Sequence, residues 1–425
     1  MAEERWKSNP LGRASLANAL TCPQCSGVTH ASTLAPPAVK EPATEGSRAR
    51  PRLPLAAAMG TAVGLFAAAR LLGAAAVAMT AWATGGHPVL LLGRSWDSVW
   101  YLRIATDGYG RTLHFRPNVA HSDLAFFPLY PGSIRVVTEL TPLSGPGAGM
   151  LISWTAAAVA ACGIYAIGVR LHDRAVATAL VLLWGLLPHS VVLSMAYTEP
   201  VLTAFAAWSL YALLTGRWLW AGALAACAGL ARPNGFAVAA AVLVAAAYEI
   251  FRRRGKVSHR LWTGVALAPL GWVAYVLWVG RRMGDPLGGY FEVQRLWGSR
   301  FDFGLGSLRF IRHLLLEGDQ LLFPTAMMIV AAGLLLYGLL IADRAPLPLL
   351  VYAGALLIVA IGGSGFFESK PRFLLPAFPL LLPLACALAR TARARPWHAT
   401  LVVGALAGLS FAYGAYVVVI AHKPL

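Results

Sequence analysis

The chain has 425 residues, of which 58% are hydrophobic and only 12% charged, and Lys plus Arg outnumber Asp plus Glu by 35 to 18, for a formal net charge of +17. Such apolarity excludes a disordered chain, and so little charge leaves too few polar side chains to cover soluble domains of this length. The composition is that of a polytopic membrane protein. Its basic excess reads first as an orientation signal, with no nucleic-acid partner required.

Residues 1–54 are polar and rich in Pro, including Pro36, Pro37, Pro42, Pro51 and Pro54. No apolar core follows the basic start, as a secretory signal would need. The segment reads as a disordered cytoplasmic tail. Cys22 and Cys25 form a C-x-x-C pair there, but a zinc ribbon needs a second such pair and the sequence has none. Cys162, Cys227 and Cys386 lie in apolar runs, as small buried side chains do.

Residues 55–425 read as one transmembrane domain, an all-α helical bundle. Eleven apolar stretches suggest crossings, at 56–84, 147–169, 175–197, 199–215, 217–231, 234–251, 261–280, 322–341, 346–363, 372–389 and 398–421. A crossing takes about 20 residues, and those between 175 and 251 are short and interrupted by Pro188, Pro200 and Pro233. With the amino terminus inside, the clusters at Arg170 and Arg174, at 252–260 and at 390–395 all fall on the cytoplasmic side, as the positive-inside rule requires. The segments 85–146, 281–321 and 364–371 then face the opposite side. No pair of matching halves suggests the inverted repeats of a transporter.

The loop 85–146 is too long for a simple connector. In GRSWDSVWYLRIATDGYG, Ser95 is placed to cap a helix and Asp97 sits in its first turn, where the helix dipole favours a carboxylate. Trp96, Val99, Trp100, Arg103 and Ile104 give an apolar stripe with one Arg, and Gly108 and Gly110 end the helix. A second helix is expected in LAFFPLYPGSIRVVTEL, opened by Pro131, with Ile134, Val137 and Leu140 at helical spacing. The loop thus reads as two interfacial helices flanking a polar link that holds Asp107, His114, His121 and Asp123. Taken singly, each of these is an ordinary solvated residue; Asp97, held between two tryptophans, stands apart.

SWDSVWYLRIATDGY followed by AFFPLYP resembles the PIG-V family of GPI mannosyltransferases and its bacterial relatives. AYTEP at 196–200, ARPNG at 231–235 and KPRFLLPAFPLL from Lys370 continue the resemblance in order, and GYFEVQRLW with Gln294 and Trp297 is a looser match. The resemblance implies a membrane glycosyltransferase of the GT-C fold. Such an enzyme transfers mannose from a polyprenyl-phosphate donor to an acceptor hydroxyl on the non-cytoplasmic face, with inversion, and needs no metal or other cofactor for a lipid phosphate leaving group. The acceptor is a lipid or glycan; the Ala-, Arg-, Gly- and Pro-rich chain looks bacterial rather than like the eukaryotic GPI enzymes.

The resemblance places the general base at Asp97, within the WD motif. Arg372, Lys370 and Arg232 are candidates to hold the donor phosphate, since Arg and Lys bind phosphate as a fork or as a point charge. The bland reading for the first two is snorkelling at the interface. Trp96, Trp100, Tyr101, Glu199, Asn234, Gln294 and Trp297 are candidate substrate contacts, Glu199 doubling as a helix-start carboxylate before Pro200. Asp123 is a second candidate carboxylate. Arg70, near the middle of the first crossing, must face the bundle and find a partner. A transporter or lipid flippase is the competing class; it calls for ionisable residues near mid-bilayer in several helices, and only Arg70 qualifies.

Overall fold

The computed structural model describes residues 54–116, 119–317, 322–365 and 369–421. The expected tail and the Cys22–Cys25 pair lie outside the described residues. Almost all of what is described is helix. The chain begins with the long α1 (Leu55–Ala83), then the short α2 (Pro88–Gly93). Next come α3 (Asp97–Asp107), a β-hairpin of β1 (Thr112–Arg116) and β2 (Val119–Ser122), and α4 (Leu129–Leu140). The hairpin, paired antiparallel with Leu113 opposite His121, occupies the stretch read as a polar link.

The bundle proper comprises α5 (Gly145–Leu171), α6 (Arg174–Gly185), α7 (Glu199–Leu214), α8 (Trp218–Ala231) and α9 (Phe236–Arg252). It continues through α10 (His259–Leu267) and α11 (Leu270–Arg282), then α12 (Gly289–Leu296) and α13 (Leu305–Glu317). The remaining helices are α14 (Leu322–Ala342), α15 (Leu347–Gly362), the short α16 (Lys370–Leu374), α17 (Leu382–Ala394) and α18 (Pro396–Ala415).

The eleven expected crossings are not all helices of spanning length among the described residues. Among the described residues six helices are long and apolar enough to span a membrane, or seven if a bent pair counts as one. That pair is α6 and the 3-10 turn Pro188–Ser194, bent by 83° where Pro188 removes a helical donor. The stretch 372–389 is likewise broken, into α16, a 3-10 turn at Phe378–Leu381 and α17, with Pro376, Pro379 and Pro383 as the interruptions. The helices α7, α8 and α15 exist where apolarity predicted but are shorter than a full crossing.

Small residues let the helices approach closely, as they do where lipid rather than water surrounds a bundle. A Cβ on Gly222 of α8 would fall on the backbone of Gly264 in α10, and one on Gly271 of α11 on the carbonyl of Ala226 in α8. In the core, Trp184 stacks on Phe66 at 5.1 Å and donates its Nε1–H to the Leu375 carbonyl at 3.0 Å. Leucines and methionines such as Leu71, Leu72, Met79, Leu335 and Leu401 face outward, the pattern of a lipid-facing belt.

Consecutive helices return upon one another, so chain order sorts the two ends. Arg217 marks the turn between α7 and α8, whose far ends meet again at Glu199 and Arg232, 2.7 Å apart. The turn after α5 is tied to the end of α17 by Arg393 Nη1 and Asp173 Oδ2 at 2.9 Å. The basic turns therefore gather at one end of the bundle and the motif residues at the other. Arg70 faces inward as expected and is 2% exposed, but its Nε and Nη2 meet no hydrogen-bond partner among the described residues.

A charged cluster on the wall of an aromatic cavity

The helix α3 forms as the sequence predicts and stops at Gly108, whose φ of 77° few other residues tolerate. Its start differs. Ser95 does not cap it; Trp96 precedes the first turn at φ 50° and ψ −114°, a strained geometry costing on the order of 1–3 kcal/mol. This turn sets Asp97 at the first helical position. The buried face is Ser98, Tyr101, Ile104 and Ala105, one residue round from the expected stripe, which frees Trp96 and Trp100 to line a cavity. Ser98 Oγ donates to the Ala196 carbonyl at 3.0 Å, and the Tyr101 and Thr198 hydroxyls lie 3.2 Å apart. These bonds fix α3 to the segment that leads into α7.

Four charged side chains from four segments meet there. Arg372 of α16 places Nη1 2.8 Å from Asp97 Oδ2 and Nε 3.1 Å from Glu199 Oε1. Arg232, at the end of α8, places Nη1 2.7 Å from the same Glu199 oxygen and donates to Thr198 Oγ1 at 2.9 Å. Glu199 is fully buried, and both arginines nearly so. Burial alone disfavours the Arg372 charge, but Asp97 and Glu199 raise its pKa above the usual arginine value. The contacts at Glu199 are ionic rather than well-directed hydrogen bonds: neither of its oxygens, nor Nε and Nη1 of Arg372, has a partner at hydrogen-bonding angles. Two carboxylates and two guanidiniums leave the group electrically balanced.

This cluster borders a cavity of about 950 Å³. Asp97, Trp96, Trp100, Tyr101, Arg232, Asn234, Gln294, Trp297, Lys370 and Arg372 all line it, whereas Glu199 stands behind the wall and Asp123 does not line it. Much of the remaining lining is aromatic. His121 stacks on Trp297 at 4.0 Å, Trp100 packs edge-on against Trp297 at 5.3 Å, and Trp297 Nε1 donates to the Ser122 carbonyl at 3.0 Å. Burial lowers the His121 pKa below its ordinary value. Gln294 Nε2 donates to the Tyr290 hydroxyl at 2.9 Å. Lys370 is anchored by Ser307 Oγ and by the Gly363 carbonyl at 2.8 Å; burial brings its ammonium down to about 8 against the opposing pull of Asp302.

Asp123, the second candidate carboxylate, is turned to structure. Its Oδ2 accepts from the backbone N–H groups of Gly110 and Arg111 at 2.9 and 2.8 Å, closing the base of the hairpin. Asp107 and His114 are exposed. Sequence reasoning left His121 among the solvated loop residues and did not single out Tyr197, Thr198, Trp272 or Tyr290. Thr198 and Tyr197 lie within the quoted AYTEP motif, and Arg372 sits over the Tyr197 ring at 5.2 Å. The strand pairing that carries His121 to Trp297 left no short-range signal.

Residues 86–260 match the family model described as Mannosyltransferase (PIG-V). No curated protein matches the chain. Among solved structures, the chain is similar to the oligosaccharyltransferase of Archaeoglobus fulgidus. Against its apo form the TM-score is 0.51 at 14% identity, over 86% of this chain and 56% of that one. Against its complex with Zn and sulfate the TM-score is 0.50 at 14% identity, over 85% and 54%. The chain thus spans about half the length of that enzyme, and the likeness is one of fold. Over residues 86–260, the stretch holding Asp97, Glu199 and Arg232, the chain matches the model of the PIG-V mannosyltransferase family, and its helical fold is similar to that of the archaeal oligosaccharyltransferase.

Proposed function

We propose that the protein is a membrane glycosyltransferase that moves mannose from a polyprenyl-phosphate donor to an acceptor hydroxyl, inverting the anomeric carbon. The observation that carries the reading is the position of Asp97. It is a partly exposed carboxylate on the wall of an aromatic cavity, held in place by Arg372 and not consumed by a backbone cap. Asp97 takes the proton of the acceptor hydroxyl as its oxygen bonds to the anomeric carbon. The bond from that carbon to the phosphate oxygen breaks on the opposite face, and the polyprenyl phosphate leaves with the electron pair. Lys370 and Arg372 supply positive charge to that phosphate, while Arg232, through Glu199, holds Arg372 to its post. Trp96, Trp100, Tyr101, Asn234, Gln294 and Trp297 form the surface against which the sugar and acceptor rest.

The basic turns gathered at the far end of the bundle support an orientation with those turns and the amino terminus in the cytoplasm and the cavity on the outer face. Membranes containing the protein, incubated with labelled polyprenyl-phosphate-mannose, should yield a labelled lipid or glycan. Asp97→Asn should abolish that product while leaving the protein folded in the membrane. Full transfer by this variant would overturn the assignment.

A further inference from the structure

Thr198 stands at the N-cap position of α7 and is fully buried, yet its side chain caps nothing. A threonine there usually spends its hydroxyl on a backbone N–H of the first helical turn. Here Pro200 removes one such N–H, and the hydroxyl meets two side chains instead. Arg232 Nη1 donates to Thr198 Oγ1 at 2.9 Å, and the Tyr101 hydroxyl lies 3.2 Å from the same oxygen. Arginine is a donor only, so Oγ1 accepts from Arg232 and keeps its own proton for Tyr101.

These two bonds close a ring. Asp97 and Tyr101 lie one turn apart on α3. From Asp97 the ring passes to Arg372, from Arg372 to Glu199, and from Glu199 to Arg232. Thr198 then returns it to α3 through Tyr101. The links at Glu199 are ionic and poorly directed, since neither carboxylate oxygen has a partner at hydrogen-bonding angles. Coulomb attraction depends on separation and sets no angle. The bond to Thr198 is the one well-directed hydrogen bond of the Arg232 side chain among the described residues. The backbone around Thr198 is held without that hydroxyl. The Ala196 carbonyl accepts from Ser98 Oγ at 3.0 Å, and Ser153 Oγ donates to the Tyr197 carbonyl at 2.7 Å and accepts from the Tyr197 N–H at 3.2 Å. The segment therefore keeps its course when the Thr198 hydroxyl is removed, and the ring does not.

We infer that Thr198 is a positioning residue for glycosyl transfer: its hydroxyl aims the Arg232 guanidinium and ties it to α3, so that Glu199, Arg372 and Asp97 keep one arrangement. The inference rests on the glycosyltransferase reading above, in which Asp97 is the base and Arg372 holds it. Thr198 does not line the cavity, so it acts through these neighbours and not on substrate. Loss of the hydroxyl loosens the ring at its directed joint. The slack is felt at Asp97 and not at Lys370, which has its own anchors in Ser307 and the Gly363 carbonyl.

Three full-length variants test this. Thr198→Val keeps the shape and removes the hydroxyl, and Thr198→Ser keeps the hydroxyl. Thr203→Val is the control: it removes a fully buried hydroxyl one turn further along α7, which bonds the Glu199 carbonyl at 2.7 Å. Membranes containing each are assayed with labelled polyprenyl-phosphate-mannose at a temperature where every variant is folded. Thr198→Val should lower kcat at least tenfold and leave KM for the donor within about twofold of wild type. Thr198→Ser should restore at least half of kcat, and Thr203→Val should change neither constant. In an Arg372→Lys background Thr198→Val should cost no more than about twofold further, because both changes act on the same guanidinium. Unchanged kcat in Thr198→Val, no recovery in Thr198→Ser, or a full further tenfold loss in the Arg372→Lys background would overturn the proposal. Hydrogen exchange of the purified protein in nanodiscs needs no substrate. The α3 amides should exchange at least tenfold faster in Thr198→Val than in wild type or Thr203→Val, and equal exchange would also overturn it. If wild type transfers mannose to nothing, the glycosyltransferase reading fails and the role in transfer with it, while exchange alone then decides whether Thr198 holds α3.

Discussion

Arg372 Nη1 lies 2.8 Å from Asp97 Oδ2, so the carboxylate that the WD motif carries is fastened to a short helix near the other end of the chain. The same guanidinium reaches the buried Glu199 through its Nε. Only a planar fork spans two carboxylates in this way; an ammonium is a single point. Arg372→Lys should therefore retain charge yet lose position, lowering kcat for mannose transfer by at least tenfold. Asp97→Asn removes the proposed base, for which a loss of about 10²–10⁴ in rate is the ordinary magnitude. The pair is read by steady-state transfer in membranes, with protein amount fixed by quantitative blotting.

Glu199 carries a structural load that a polar substitute cannot take over. It is fully buried with Arg232 and Arg372 on one oxygen. Breaking such a buried pair costs on the order of 3–5 kcal/mol, because the surviving charges stay buried without compensation. Glu199→Gln should lower the thermal midpoint in detergent clearly. The double variant Glu199→Gln with Arg232→Met should recover part of the loss, since it removes a stranded charge along with its partner. Additive losses in the double variant would contradict the coupling.

Lys370 should impart a pH dependence to donor binding. Its folded-state pKa lies below the usual lysine value, at about 8, because burial disfavours the ammonium. The cation is present below that pH and is lost above it. KM for the polyprenyl-phosphate donor should therefore rise as pH passes upward through about 8. Lys370→Arg should flatten the profile, since a guanidinium stays protonated throughout. An unchanged profile in that variant would place the titration elsewhere.

The packing of α8 on α10 gives a test of the scaffold that does not touch the site. Gly222→Ala would put a methyl group against the Gly264 backbone, and overpacking of this kind costs about 1–3 kcal/mol. Gly404→Ala in α18 meets nothing within 4 Å and should be neutral or slightly stabilising, as Ala favours helix over Gly. Thermal midpoints of the two variants should separate in that order.

The sequence made helix positions legible because a run of apolar side chains suffices to mark them. It did not make their lengths legible. Pro188 bends one expected crossing by 83°, and Pro376, Pro379 and Pro383 interrupt another, yet hydropathy averages over such breaks. The residues around the cavity were legible through motifs, but their relations were not. Arg372 and Arg232 were nominated for phosphate, and the structure shows each already beside a carboxylate. Trp96 and Trp100, nominated as substrate contacts, do line the cavity, beside a strained turn at Trp96 that the motif does not show. His121 became part of the aromatic wall only through strand pairing, a long-range event that local spacing does not encode. Arg70 shows the reverse: its burial was legible, its lack of a partner among the described residues was not.

Asp97 lies in the first quarter of the chain and Arg372 in the last, with Glu199 and Arg232 between. Synthesis therefore delivers both carboxylates and one arginine to the membrane long before the guanidinium that joins them. Until α16 arrives, Asp97 has no ionic partner and Glu199 has only Arg232. The arrival of Arg372 is what closes the circuit, so completing the cavity wall and balancing its buried charge are one event in the assembly of the protein. Without α16 this wall would hold Asp97 and Glu199 against Arg232 alone, an excess of one negative charge.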